Sequence, residues 1–79
     1  MELLLFGITR EITGTSRLTV PAAVELPTVG ALRAWLAQEY PQFSKLSSLA
    51  MAVDQRYADD EQLLQDDSEI ALIPPVSGG

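Results

Sequence analysis

Glu2-Leu3-Leu4-Leu5-Phe6-Gly7-Ile8 is the stretch on which the fold turns. Strand alternation puts Leu3 and Leu5 on one face and Leu4, Phe6 and Ile8 on the other, so both faces are apolar. A strand of that composition belongs at the centre of a sheet. Its counterpart at the other end of the chain is Glu69-Ile70-Ala71-Leu72-Ile73, closed by Pro74-Pro75. The two prolines fix φ, remove two backbone donors and hold Ile73 in the extended region, so the strand cannot run on past them.

Between these runs the chain alternates recognisable elements. Thr9 to Ser16 contains Gly14 and several small polar residues, which predicts a hairpin turn. Arg17-Leu18-Thr19-Val20 alternates polar and apolar until Pro21 interrupts it, which predicts an edge strand. Pro27-Thr28 opens the best helix, with Thr28 as N-cap. Val29, Leu32, Leu36 and Tyr40 share one face, Ala31, Ala34 and Gln38 lie opposite, and Trp35 sits on the flank as a lid on the core edge. Pro41 ends the helix, and Gln42 to Ser48 holds one short helical turn. Leu49 to Val53 predicts a strand with large residues on one side and alanines on the other. Asp59-Asp60 and Asp66-Asp67-Ser68 are turn signals around a short Gln62-Leu63-Leu64 segment.

Strand, strand, helix, strand, irregular stretch, strand is the order of a β-grasp: an α+β fold in which a mixed sheet is crossed by one main helix. Its first and last strands lie side by side at the sheet centre. Residues 1–73 form this domain and residues 74–79 a flexible C-terminal Gly-Gly tail. One helix covers one face of a sheet. The surplus apolar residues, one set from Leu4, Phe6 and Ile8 or their neighbours and one from Ala71 and Ile73, are therefore expected to form an exposed patch, the usual mark of a partner surface.

Composition narrows the chemistry. A chain of 79 residues has room for one small core, and 47% apolar residues are enough to build it. With no cysteine and no histidine there is no thiol nucleophile, disulfide framework, imidazole base or transition-metal ligand set. The net charge is −6, concentrated in Asp54, Asp59, Asp60, Glu61, Asp66, Asp67 and Glu69 against the single base Arg56. Such a face repels phosphate, which argues against nucleic acid as a partner, and serves as a solvated surface or a dock for a basic protein. The DxDxDG pattern of a calcium loop is absent, so no metal is expected. No apolar stretch approaches a membrane span, and Met1-Glu2 lacks the basic start of a secretory signal, so a cytoplasmic location is expected.

The tail carries the functional signal. Glycine has no Cβ, so Gly78 and Gly79 can enter a channel too narrow for other residues. From Pro74 to Gly79 the chain reaches roughly 20 Å when extended, enough to bring a terminal carboxylate into a partner's active site. Phe6 to Gly14, Pro27-Thr28-Val29 before Leu32-Arg33, and above all Pro74-Pro75-Val76-Ser77-Gly78-Gly79 resemble the small, sulfur-carrier subunit of molybdopterin synthase, which implies a ubiquitin-like β-grasp domain. The resemblance runs nearly end to end; Ser77 stands where threonine is also common, and Gly7 interrupts the first strand.

That resemblance implies a specific cycle. An E1-like activating enzyme would use ATP, the only cofactor called for, to adenylate the Gly79 carboxylate. A sulfur donor protein would displace AMP and leave a thiocarboxylate. The tail, with Ile73, Pro74, Pro75, Val76, Ser77 and Gly78 as its partner-binding residues, would then insert into the large synthase subunit. There it would give its sulfur to cyclic pyranopterin monophosphate, within a heterotetramer. No side chain of this chain would be catalytic. Three alternatives stand beside this: a thiazole-pathway sulfur carrier, against which Pro74-Pro75 argues; a ubiquitin-like modifier joined to lysines through Gly79; and a passive interaction module with an inert tail.

Overall fold

In the computed structural model, residues 1–46 and 48–74 are described. The elements run β1 (Glu2–Leu5), α1 (Gly7–Thr13), β2 (Arg17–Thr19), α2 (Val29–Glu39), a 3-10 turn (Pro41–Lys45), β3 (Ala50–Val53), β4 (Arg56–Ala58) and β5 (Glu69–Ile73). The strands form one sheet in the order β2-β1-β5-β3-β4. β1 and β5 pair in parallel, and the other neighbours are antiparallel. The expected β-grasp is therefore present. The two apolar strands lie side by side with β5 at the exact middle of the order, and β2, the strand stopped by Pro21, is an edge.

Register decides which side chains meet. On the inner face Leu18, Leu3, Ile70 and Val53 form one row across the sheet, and Leu5, Leu72, Met51 and Ala58 form the next. α2 lies on these rows. Its Val29, Leu32 and Leu36 are buried in the same cluster as Leu3, Leu5, Ile70 and Leu72. Trp35 and Tyr40 pack on the cluster's edge, and Tyr40 meets Phe43 of the 3-10 turn edge-to-face at 5.8 Å.

Both ends of α2 follow from sequence. The Thr28 hydroxyl accepts from the Ala31 N–H at 3.1 Å, satisfying one of the first-turn donors. Val29 and Gly30 donate to the carbonyls of Gln62 and Asp60 at 3.0 and 2.9 Å, so the loop after β4 receives two more. At the other end Tyr40 leaves the helical region (ψ 85°) just before Pro41. We expect Thr28→Ala to cost about 1 kcal/mol, with Thr28→Ser nearly neutral. Urea midpoints at unchanged m-value check this.

Two elements differ from expectation. The first strand does not reach Ile8, and Thr9 to Ser16 is not a simple turn: Gly7 to Thr13 is a helix. Phe6 is extended at φ −133°, but Gly7 turns to φ +54°, a region L side chains avoid, and this ends the strand. Thr9 then fastens the new helix. Its hydroxyl donates to the Phe6 carbonyl at 2.6 Å and accepts from the Phe6 N–H at 3.0 Å, with the residue fully buried. Gly14, at φ +78°, closes the helix by donating to the Arg10 carbonyl at 2.8 Å. The second difference is β4, which no local signal marks. Asp54 and Gln55 both take positive φ, 50° and 71°, as the loop of a two-residue hairpin. Asp54 is held there because its carboxylate accepts from the Glu69 N–H while its own N–H donates to the Glu69 carbonyl.

Candidate functional site

The sheet face away from α2 is built by the other half of the strand alternation. One row runs Arg17, Leu4, Ala71, Ala52, Tyr57, and the next includes Ile73 opposite Ala50. Among the described residues no helix covers this face. Leu4, Ala71 and Ile73 are half-buried, and Tyr57 is 76% exposed. The expected apolar patch is thus present in Leu4, Ala71 and Ile73, widened by Ala50 and Tyr57, with Ala52 buried between them.

Phe6 and Ile8 are also exposed, at 51% and 40%. They reach the surface for a different reason than alternation predicts: they flank Gly7 at the start of α1, beyond the end of β1. The side-chain alternation that linked them to Leu4 stops at Leu5. Tyr57 escaped the sequence reading because β4 did, and an aromatic just after Asp54-Gln55-Arg56 was its only signal.

The sequence-predicted site residues divide at Pro74. Ile73 ends β5 and pairs with Ala50, and Pro74 follows it half-buried. Pro75, Val76, Ser77, Gly78 and Gly79 lie outside the described residues. β5 is the central strand, anchored on both sides by Leu5 opposite Leu72 and by Met51 opposite Leu72. The tail therefore leaves from the most firmly held strand of the domain, at the end where Gly7 approaches Pro74.

The acidic loops are separated from that end, where α1 carries Arg10 and Glu11. Asp66, Asp67 and Glu69 sit at the start of β5, about 13 Å of strand away from Ile73. Glu2 and Glu69 are neighbours in the parallel pair, and Arg17 meets Glu2 at 2.8 Å. Arg33 joins Asp60 at 3.1 Å and donates to the Leu49 carbonyl at 2.7 Å, tying α2 to two loops. These exposed pairs contribute little to stability. Among the described residues no three carboxylates converge as a metal site, and no helix is long and apolar enough to cross a membrane.

A family model, described as the ThiS family, matches residues 3–79. The chain belongs to the ThiS family. A molybdopterin synthase sulfur carrier subunit from Caenorhabditis briggsae is 38% identical over 82 residues, covering 100% of this chain and 96% of that protein. Among solved structures, the small archaeal modifier protein 1 from Methanosarcina acetivorans superposes with a TM-score of 0.80 at 25% identity, covering 99% of this chain and 94% of that one. Subunit 1 and 2 of the molybdopterin-converting factor from Helicobacter pylori 26695 form a complex; the matching chain there has a TM-score of 0.65, 28% identity, and coverage of 99% and 96%. This ThiS-family chain thus bears out the resemblance carried by Phe6 to Gly14, Pro27-Thr28-Val29 and the Pro-Pro-Val-Ser-Gly-Gly end.

Proposed function

We propose that this chain is the sulfur-carrier subunit of a molybdopterin synthase, with the Gly79 main-chain carboxylate as its reactive group. The observation that carries the reading is that the family match extends from residue 3 to residue 79, so it takes in Gly78-Gly79 as well as the domain. The name of the Caenorhabditis briggsae relative points the same way.

A carboxylate is a poor electrophile because its leaving group would be an oxide. An E1-like enzyme supplies a better one by transferring AMP from ATP to Gly79 and releasing pyrophosphate. Sulfur delivered by a donor protein at the sulfide level then attacks the acyl carbon, forming the C–S bond as the C–O bond to AMP breaks. Where the sulfur arrives as a protein persulfide, a thiol reductant must also cleave the S–S bond to the donor before the thiocarboxylate is free. The thiocarboxylate sulfur is soft and anionic, and attacks a carbon of the pterin substrate, the new C–S bond forming as a C–O bond at that carbon breaks and its oxygen leaves protonated. Hydrolysis of the acyl C–S bond leaves sulfur on the product and regenerates the Gly79 carboxylate. The phosphate-bearing substrate is held by the partner, since the acidic loops of this chain repel it. The uncovered face around Leu4, Ala71, Ile73 and Tyr57 docks the large subunit, and the tail from Pro74 onward enters its active site. In the Helicobacter pylori complex, a chain similar to this one is one of two subunits.

The likeness to the small archaeal modifier protein favours one second reading, conjugation of Gly79 to lysines of other proteins after the same activation. One experiment separates the two. Trypsin releases Tyr57 to Gly79 as the C-terminal peptide, which contains no methionine, so sulfur-for-oxygen exchange at Gly79 cannot be mistaken for oxidation. In protein from its native cells, conditions that preserve thiocarboxylates should yield the sulfur-shifted peptide. Recovery of the free carboxylate alone, with Gly79 found in isopeptide linkage to other proteins, would replace the carrier reading by the modifier reading.

A further inference from the structure

We propose that Gly7 is a positioning residue for the C-terminal tail: the space left by its missing side chain is the seat of the Pro74 ring, and that seat sets the direction in which the chain leaves β5. The inference deepens the carrier reading and rests on it for its catalytic consequence. A Cβ at Gly7 would stand 3.1 Å from Pro74 Cγ, tighter than side chains normally pack.

The backbone on each side of this contact is held. Behind Gly7, α1 is fixed by the two Phe6–Thr9 hydrogen bonds, by the Thr13 hydroxyl donating to the Thr9 carbonyl at 3.0 Å, and by the Leu5 N–H donating to Ser16 at 2.9 Å. Behind Pro74, Ile73 is in register with Ala50, and Leu72 is fully buried between β1 and β3. The proline ring cannot adjust φ, so a methyl group inserted here acts on Cγ, and what the change of ring pucker does not absorb is passed to the first residue of the tail.

A Cβ at this distance asks its neighbour to give by a few tenths of an ångström, and it asks it at the root of the segment that must reach up to about 17 Å further. A misplacement of about 1 Å at a reacting centre is enough to cost on the order of 100-fold in rate.

Gly14 is an internal control. It also has positive φ, +78°, but a Cβ there meets nothing within 4 Å. Gly7→Ala and Gly14→Ala thus impose comparable backbone strain, and only the first pushes on Pro74. The experiment compares both with Pro74→Ala and with the Gly7→Ala/Pro74→Ala double variant. The chain has no cysteine, so a single Ser77→Cys change carries a nitroxide label. Its paramagnetic broadening of backbone amides reports where the tail goes without any chemistry.

Gly7→Ala should redistribute that broadening and Gly14→Ala should not. The double variant should match Pro74→Ala alone, because the Cγ on which the new methyl acts is gone. Unlabelled chains, once converted to the thiocarboxylate, should show Gly7→Ala lowering sulfur transfer at saturating partner about 10-fold or more, and Gly14→Ala by no more than about twofold. If Gly7→Ala does not fold, Gly7→Asn carries the same Cβ, tolerates the left-handed region and is judged by the same pattern. Indistinguishable broadening in the Gly7 and Gly14 variants overturns the proposal. Should the wild-type chain carry no sulfur at all, the carrier reading fails, while the broadening still decides whether Gly7 seats the tail.

Discussion

Deleting Gly78 and Gly79 is expected to abolish sulfur delivery completely while leaving the domain as stable as before. The loss is total because the deletion removes the carbon that is activated; a terminal Ser77 carboxylate has a side chain on its Cα and ends two residues short. Stability should hold because the core cluster is assembled from residues between Leu3 and Leu72, and the deletion touches none of them. A change within about 0.5 kcal/mol is the expected size for a site outside the core. Transfer assays with the activating enzyme and large subunit, beside urea unfolding of the same samples, check both halves. Retained transfer would mean that Gly79 is not the carrier atom, and a large stability loss would mean that the tail is part of the fold.

Leu72→Ala should be among the most destabilising truncations in the core. Leu72 is fully buried, lies on the central strand and faces Leu5 on one side and Met51 on the other. Emptying such a site costs about 2–5 kcal/mol, the lost transfer energy plus the cavity left behind. A domain of this length has a net stability of roughly 4–12 kcal/mol, so the variant loses a large part of it. Leu72→Met keeps most of the volume and should cost less than about 1.5 kcal/mol. Urea midpoints for the two variants give the comparison. Because Pro74 stands only two residues further on, loss of activity in Leu72→Ala should track the unfolded fraction, not the chemistry of Gly79. A cost below about 1 kcal/mol would show that α2 and the sheet collapse to fill the site.

Most of the scaffold was legible along the chain because its long elements carry their own signals. Thr28, the Val29/Leu32/Leu36 stripe and Pro41 bracket α2 within a residue or two. The two apolar runs, Leu3 to Leu5 and Ile70 to Leu72, can satisfy their faces only at the sheet centre, and Pro21 can be tolerated only at an edge. The proposed site is read from the sequence for a different reason: Pro74-Pro75 and the two closing glycines are conformational extremes, and of the residues assigned to it only Ile73 and Pro74 lie among the described ones.

The misreadings are short elements without such signals. Phe6-Gly7-Ile8 continues the strand pattern, and a helix of seven residues is far below the length at which isolated helices hold together. It forms because the buried Thr9 hydroxyl and the Gly7 turn hold it against the domain. β4, with three residues, follows a loop of Asp54-Gln55 in place of the Asn-Gly or Asp-Gly that marks such hairpins. It exists because β3 templates it and Glu69 holds Asp54.

The sequence by itself determined the β-grasp order, the central pair of strands and the capped helix, since each rests on periodicity or proline chemistry that acts locally, and it carries the Gly-Gly end on which the proposed function rests. Only the tertiary structure decided that Gly7 turns left-handed, that a short helix stands at the root of the tail, and that Tyr57 joins Leu4 and Ala71 on the open face. Those outcomes depend on contacts between residues distant in the chain, Gly7 with Pro74, Ala71 with Ala52, Ala52 with Tyr57, and no local propensity records a contact that exists only after the sheet has closed.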